Sequence, residues 1–258
     1  MTSTSTHPSA LPAAAPEARV FVRDGFRWDG QGAYLFDIDG TLLRSRDRIH
    51  VDSFASSVRS VMGHELVLDG VVLSGNTDPG ILHDAFRLAQ LDEAHWQPHL
   101  ANILEAMRCD VLARRDEMKI VKMPGVDEML AYLESRGAAL GVATGNLESI
   151  GWLKIEVLGL RHWFSFGGFS DDYSLRSDMI AHAMRVAQRH AGADATVCVV
   201  GDTPSDISAA RANGLPTIAV ATGNFTFDQL MEHQPEACAT TLTALLESVL
   251  PSGSKTTP

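Results

Sequence analysis

Four short apolar runs, each closing on a turn of small and polar residues, constrain this chain more than any other feature. They are Ala33 to Ile38 before Asp39-Gly40, Ala139 to Ala143 before Thr144-Gly145, Thr196 to Val200 before Gly201-Asp202, and Thr217 to Ala221 before Thr222-Gly223. Runs so short and so continuously apolar read as strands covered on both faces, the usual state of parallel strands. Between them lie helical patterns over Val126 to Ser135, Leu147 to Leu158, Ser177 to His190 and Ser205 to Ala212. Glycine at 137, 159, 192 and 214 supplies the expected C-terminal stop. Strand-helix alternation of this kind predicts an α/β fold with a doubly wound parallel sheet.

The alternation breaks between about His50 and Ile120, where helical periodicity dominates and the one strand expected is Leu66 to Val72. Asp78-Pro79 followed by Ile81, Leu82, Ala85, Phe86 and Leu88 reads as an N-cap, a proline in the first helical position and an amphipathic face. The expected organisation is a core over 19–48 and 121–250 and a helical insertion over 49–120. A polar leader at 1–18 and a tail at 251–258, both rich in small and polar residues with proline, are expected to be disordered.

With 21 Lys+Arg against 32 Asp+Glu in 258 residues, the formal charge is −11. Long-range repulsion then disfavours nucleic acid and anionic membrane as partners, while a local basic pocket for a small anion remains open. Cys109, Cys198 and Cys238 are widely spaced and odd in number, so neither a disulfide framework nor a zinc knuckle is suggested. The leader lacks the apolar segment of a signal peptide, and a cytoplasmic protein is expected. Nothing in the sequence speaks to oligomeric state.

Ligands of an open parallel sheet bind at the carboxyl ends of its strands, and three of these ends carry reactive residue types. Phe36-Asp37-Ile38-Asp39-Gly40-Thr41 places two carboxylates where a turn at Gly40 brings them to one pocket. An acidic turn or a calcium-type loop would read the same way. In Val142-Ala143-Thr144-Gly145-Asn146 a hydroxyl and successive N–H groups at a helix start suit an anionic oxygen, although a plain helix cap has the same pattern. Val200-Gly201-Asp202-Thr203-Pro204-Ser205-Asp206 puts one carboxylate at a strand end and another four residues later. Hard oxygen donors of this sort suit magnesium, and a carboxyl-capped helix is the simpler alternative.

Taken together, these motifs resemble the haloacid dehalogenase-like (HAD) hydrolase superfamily, over about residues 30 to 245, with phosphoglycolate phosphatase-like members the nearest in kind. The resemblance implies a Rossmann-like core and a type 1 helical cap placed between Asp39 and Thr144, which are 105 residues apart against 58 from Thr144 to Asp202. The family's basic residue, usually lysine, falls here on Arg176, 26 residues before Asp202, with Arg161 a rival.

The resemblance also implies a phosphatase that forms an aspartyl phosphate on Asp37. Asp39 would serve as acid and then base, Thr144, Gly145, Asn146 and Arg176 would bind phosphate, and Mg2+ would be held by Asp37, the Asp39 backbone carbonyl, Asp202 and Asp206. A small phosphorylated metabolite is the implied partner. Asp39 argues against the carbon-attacking dehalogenases, which lack it, and the absence of lysine between Asp39 and Arg115 argues against the phosphonate-cleaving branch. The phosphomutase branch stays open, with His50, 11 residues past Asp39, as its cap histidine. A non-catalytic binding protein is the alternative from another class. The segment Leu73 to Pro79 resembles a substrate-facing loop. Arg59, Arg87, Arg108, Arg114 and Arg115 could meet a substrate carboxylate or simply form solvated helix faces. Trp96, Trp152, Trp163 and Cys198 read as packing residues.

Overall fold

A computed structural model describes residues 17–249. The tail expected at 251–258, and all but the last two residues of the leader expected at 1–18, lie outside the described residues.

The chain opens with β1 (Val20–Val22), β2 (Ala33–Phe36) and β3 (Leu43–Ser45), followed by the helices α1 (Ile49–Met62), α2 (Asp78–Leu88), α3 (Glu93–Trp96) and α4 (Leu100–Ala113). It returns through β4 (Ile120–Lys122) and continues with α5 (Val126–Ser135), β5 (Ala139–Ala143), α6 (Glu148–Val157), β6 (Phe166–Gly168) and α7 (Arg176–Ala191). Then come β7 (Val197–Gly201), α8 (Pro204–Ala212), β8 (Thr217–Val220), α9 (Phe227–Glu232), β9 (Ala237–Ala239) and α10 (Leu242–Glu247).

Seven strands form one sheet in the order β1-β9-β8-β7-β2-β5-β6. All neighbours are parallel except β1, which runs antiparallel to β9 at the edge. Every residue of β2 is buried, and successive side chains feed opposite layers. Tyr34 and Phe36 pack with Met129, Leu130 and Leu133 of α5 and Leu245 of α10. Ala33 and Leu35 pack with Met179, Ile180 and Ala183 of α7 and Ala209 and Ala210 of α8. Helices therefore cover both faces, and this is why the strand sequences run continuously apolar.

The four helices between β3 and β4 share a separate buried cluster that includes Phe54, Val58, Leu82, Phe86, Trp96, Ile103 and Met107. Leu147, Ile150 and Leu153, from α6 and the residue before it, belong to the same cluster, so one helix of the α/β part serves as the floor of the inserted helices. The chain enters and leaves through a two-stranded antiparallel ribbon, with Leu43 opposite Lys122 and Ser45 opposite Ile120.

Two local expectations are corrected. Leu66 to Val72 forms no strand; it is irregular and turns at Gly70 (φ +82°). Leu66 is buried, but Val67 and Val72 are exposed, and with no strand beside it the run has nothing to complete a ladder. The cap of α2 is Thr77, whose hydroxyl accepts from Gly80 N at 3.0 Å, and this leaves the Asp78 carboxylate free for a different task.

One close helix-to-strand approach bears on the site, because α7 begins with Arg176. A Cβ on Gly168 of β6 would lie 2.4 Å from the Ala183 Cβ of α7. Gly168→Ala is therefore expected to cost about 1–3 kcal/mol through overpacking, measured as a lowered midpoint in urea unfolding. An unchanged midpoint would mean that α7 shifts away from the sheet at no cost.

Candidate active site

The site follows from strand order. β7, β2 and β5 are adjacent and parallel, with Phe36 paired to Val142 on one side and to Val200 on the other. The residues just beyond those pairs meet at one rim: Asp37 after β2, Thr144 after β5 and Asp202 after β7. Gly40 (φ +93°) turns the chain beyond Asp39, and a Cβ there would lie 2.3 Å from Asp202 Oδ2. The Leu42 and Leu43 N–H groups both donate to the Ile38 carbonyl, at 2.9 and 3.0 Å. This turn places Asp37 and Asp39 in one cavity of about 300 Å3, together with Thr144, Gly145, Asn146, Arg176 and Asp202.

Arg176, at the first turn of α7, holds the Asp37 side. Its Nη2 donates to Asp37 Oδ1 at 2.8 Å, and Nε and Nη2 donate to Asp206 Oδ1 at 3.0 and 2.5 Å. Arg161, the rival, instead donates to the Phe164 carbonyl and stacks on Trp152. Asp206 is fully buried, and its Oδ2 accepts from Thr203 N at 3.0 Å and Thr203 Oγ1 at 2.7 Å, which closes a capping box on α8. Its carboxylate thus accepts four hydrogen bonds, about as many as it has lone-pair sites. That makes Asp206 the anchor of Arg176. Carboxylate oxygens of Asp37, Asp202 and Asp206 lie within 4.8 Å of one another.

Among the donors lining the cavity, Arg176 Nη1, the Gly145 N–H and the Thr144 hydroxyl proton have no protein acceptor among the described residues. These are the groups placed to meet an anion. Asn146 is used differently. Its Nδ2 donates to Asp39 Oδ2 at 2.9 Å and to Thr144 Oγ1, and its Oδ1 accepts from Lys154 Nζ at 2.7 Å.

Lys154 was not singled out by the motif reading. On α6 it is 2% exposed at the side chain and donates to Asp39 Oδ2 at 2.6 Å. Leu147, Ile150 and Gly151 mark the inward face of that helix, and residue 154 continues it at i+3 and i+4. A lysine in the phase of the core was the available signal.

The inserted helices contribute His50, Val51 and Phe54 of α1, Asp78 and Ile81, and the loop Leu73 to Asn76. None of Arg59, Arg87, Arg108, Arg114 or Arg115 lines the cavity; each pairs with a carboxylate elsewhere. Arg44, which donates to the Thr222 carbonyl at 2.8 Å, does line it. Trp96 and Cys198 are buried, and neither they nor Trp152 and Trp163 reach the cavity.

Charge dominates the energetics. Among the described residues, the four carboxylates of Asp37, Asp39, Asp202 and Asp206 form ion pairs with two cations, Lys154 and Arg176, two charges too few to balance them. Burial, then the neighbouring carboxylates, push Asp37 up to about 7 even against Arg176. Asp202 is pushed up to about 8 by burial, then by Asp37 and Asp206. Desolvation also pushes Asp39 up, but the Lys154 ammonium and its hydrogen bond, with His50 and Asn146, outweigh this and hold it below the usual carboxylate range. Burial disfavours the Arg176 charge, yet Asp206 and Asp37 raise its pKa above the ordinary arginine value. A divalent cation could be held at Asp37 and Asp202, where it would supply the missing charge.

A doubly wound α/β core that gathers carboxylates and a cation at adjacent strand ends, with helices inserted after the first, defines the haloacid dehalogenase-like class of hydrolase. The model of that family, described as haloacid dehalogenase-like hydrolase, matches residues 34–220, and the chain belongs to the family. A phosphoglycolate phosphatase from Mesorhizobium japonicum is 36% identical over 124 residues, 47% of this chain and 53% of that protein, so the match spans about half of that relative. A phosphoglycolate phosphatase from Agrobacterium fabrum is 27% identical over 222 residues, 82% of this chain and 89% of that protein. The crystal structure of a predicted phosphatase from Clostridium acetobutylicum has the same fold, with TM-score 0.64 and 20% identity over 85% of this chain and 98% of that one. No helix among the described residues is long and apolar enough to cross a membrane.

The raised carboxyl groups make a signed prediction. An unfolded aspartate titrates near ~3.9, so between there and the raised folded values the folded chain binds more protons, and stability falls as pH rises. In chelator, Asp202→Asn should raise the melting temperature relative to wild type at pH 8, by about 2–4 °C per kcal/mol relieved, and raise it less at pH 5. An equal effect at both pH values would show that Asp202 carries no buried charge cost.

Proposed function

We propose that the protein is a magnesium-dependent phosphatase for small phosphorylated metabolites, working through an aspartyl phosphate on Asp37. One observation carries this reading. Asp37 and Asp39 share a cavity, each with one oxygen held by a buried cation and the other free of protein hydrogen bonds among the described residues. In the first step an Asp37 oxygen bonds to phosphorus as the ester P–O bond breaks, and Asp39, which Lys154 holds ionised at rest and which takes up a proton from solvent as substrate binds, gives that proton to the departing oxygen. In the second, Asp39 takes a proton from water, whose oxygen bonds to phosphorus as the bond to Asp37 breaks. Inorganic phosphate leaves and Asp37 is regenerated. Thr144, Gly145 and Arg176 hold and neutralise the phosphoryl oxygens.

The donor set fits magnesium: Asp37 and Asp202, with the Asp39 backbone carbonyl, would hold it, and Asp206 would act through Arg176 and Thr203. When bound, the cation supplies the positive charge that lets a carboxylate approach a phosphate dianion. The inserted helices act as the cap, with residues 49–120 closing the cavity over the leaving group. The relatives' name makes phosphoglycolate the first substrate to try, and Arg44 is the cation placed to meet its carboxylate. A cytoplasmic site of action is consistent with three unpaired cysteines.

The test is phosphate release from a panel of small phosphomonoesters, with and without magnesium. Turnover is expected to require the metal and to fall about 10³-fold or more in Asp37→Asn. An isomerised sugar phosphate in place of free phosphate would move the assignment to a phosphomutase. Binding without turnover across the panel would make the protein a non-catalytic member of the family.

A further inference from the structure

Two ends of one polar chain lie in different parts of the molecule. Lys154 Nζ donates to Asp39 Oδ2 at 2.6 Å, to Asn146 Oδ1 at 2.7 Å and to His50 Nδ1 at 3.2 Å, so all three ammonium hydrogens have acceptors. His50 Nε2 lies 3.1 Å from Asp78 Oδ2, and the tautomer protonated at Nε2 satisfies both contacts of the ring. Asp78 Oδ2 also accepts from Leu147 N at 2.9 Å, while Asp78 N donates to the Gly145 carbonyl at 2.7 Å. Asp39 and Lys154 belong to the α/β part, and His50 and Asp78 to the inserted helices. The approach is tight: a Cβ on Gly145 would lie 2.0 Å from the Asn76 carbonyl oxygen.

We propose that Lys154 is the positioning residue of Asp39, and that His50 and Asp78 complete its hold only when the inserted helices are docked, so that docking and acid/base alignment are one event. The proposal rests on the reading of Asp39 as acid and base. Lys154 has no donor left for substrate. Together with Asn146 it fixes Asp39 Oδ2 and leaves Oδ1 to face the leaving group, and Asp39 keeps 42% of its side chain open for that purpose. The lysine is itself fixed by two groups, Asn146 beside it and His50 across the junction. His50 is in turn oriented by a buried carboxylate at the start of α2. Pulling the inserted helices away removes the His50 contact and frees the ammonium to swing.

Leaving-group dependence separates positioning from mere structural support. A poor leaving group needs the Asp39 proton, whereas 4-nitrophenolate departs without it. Wild type, Lys154→Met and His50→Ala are compared by kcat/KM on an alkyl phosphomonoester, phosphoglycolate or the best of the panel, and on 4-nitrophenyl phosphate, in magnesium. For Lys154→Met the alkyl substrate should lose about 10²-fold while the aryl substrate loses only several-fold, with KM little changed. His50→Ala should show the same selectivity more weakly. The double variant should be no worse than Lys154→Met, because the histidine acts through the lysine. Equal losses on both substrates, or additive losses in the double variant, overturn the proposal and leave the phosphatase reading standing. A wild type without magnesium-dependent turnover, or an Asp37→Asn variant as active as wild type, overturns both. If Lys154→Met does not fold, His50→Ala decides the matter, and its failure to discriminate the two substrates is the overturning result.

Discussion

Four carboxylates drawn to one rim of a sheet, most of them out of water, are the constraint on which the rest of this structure depends. Like charges at such separations repel strongly in a medium that screens them poorly, and each also loses its hydration. The fold answers with two buried cations, each assigned to one half of the problem. Arg176 spans Asp37 and Asp206, and Lys154 holds Asp39. Removing Arg176 would leave the buried Asp37 and Asp206 without their partner, a far larger cost than the modest net worth of the pairs themselves.

The two cations suit their posts for different reasons. The planar guanidinium at the start of α7 engages Asp37 and Asp206 with Nε and Nη2 and still has Nη1 left over for an anion. The ammonium of Lys154 is a compact point charge on a flexible stem, and its three hydrogens are divided among a carboxylate, an amide and an imidazole. One cation is thus open toward a ligand and the other closed around a protein group. The separation follows from the two layers, since α6 packs through Ile155 on the Tyr34–Phe36 face of the sheet and α7 packs on the Ala33–Leu35 face.

The inserted helices are not an appendage resting on the core. Their apolar cluster takes in Leu147, Ile150 and Leu153, and the same α6 carries Lys154 into the site. Apolar packing and the polar chain through His50 and Asp78 therefore act along one helix, so a change in how the inserted helices sit is felt at Asp39.

Much of this was legible in the residues. The central strands, their helices and the motif residues at their ends follow from continuous apolar runs closed by turns, because a strand buried on both faces admits little else. The arginine at position 176 was also readable, through the family resemblance, as the basic residue 26 positions before Asp202. Other features were not. β6 is three residues long with two glycines, and β1 is short and antiparallel at an edge, so neither has a pattern of its own. Leu66 to Val72 carries β-favouring residues and still forms no strand, because a strand exists only beside a partner. Asp78 reads as a helix cap in sequence and is something else in space. Lys154 lies on the inward phase of α6, but the groups that make it meaningful, Asp39 and His50, are 115 and 104 residues away. The sequence alone determined which side chains end up at the strand ends, since local apolar patterning sets the strands. Only the tertiary structure decided how their charges are divided between Arg176 and Lys154, because that depends on which strands and helices become neighbours.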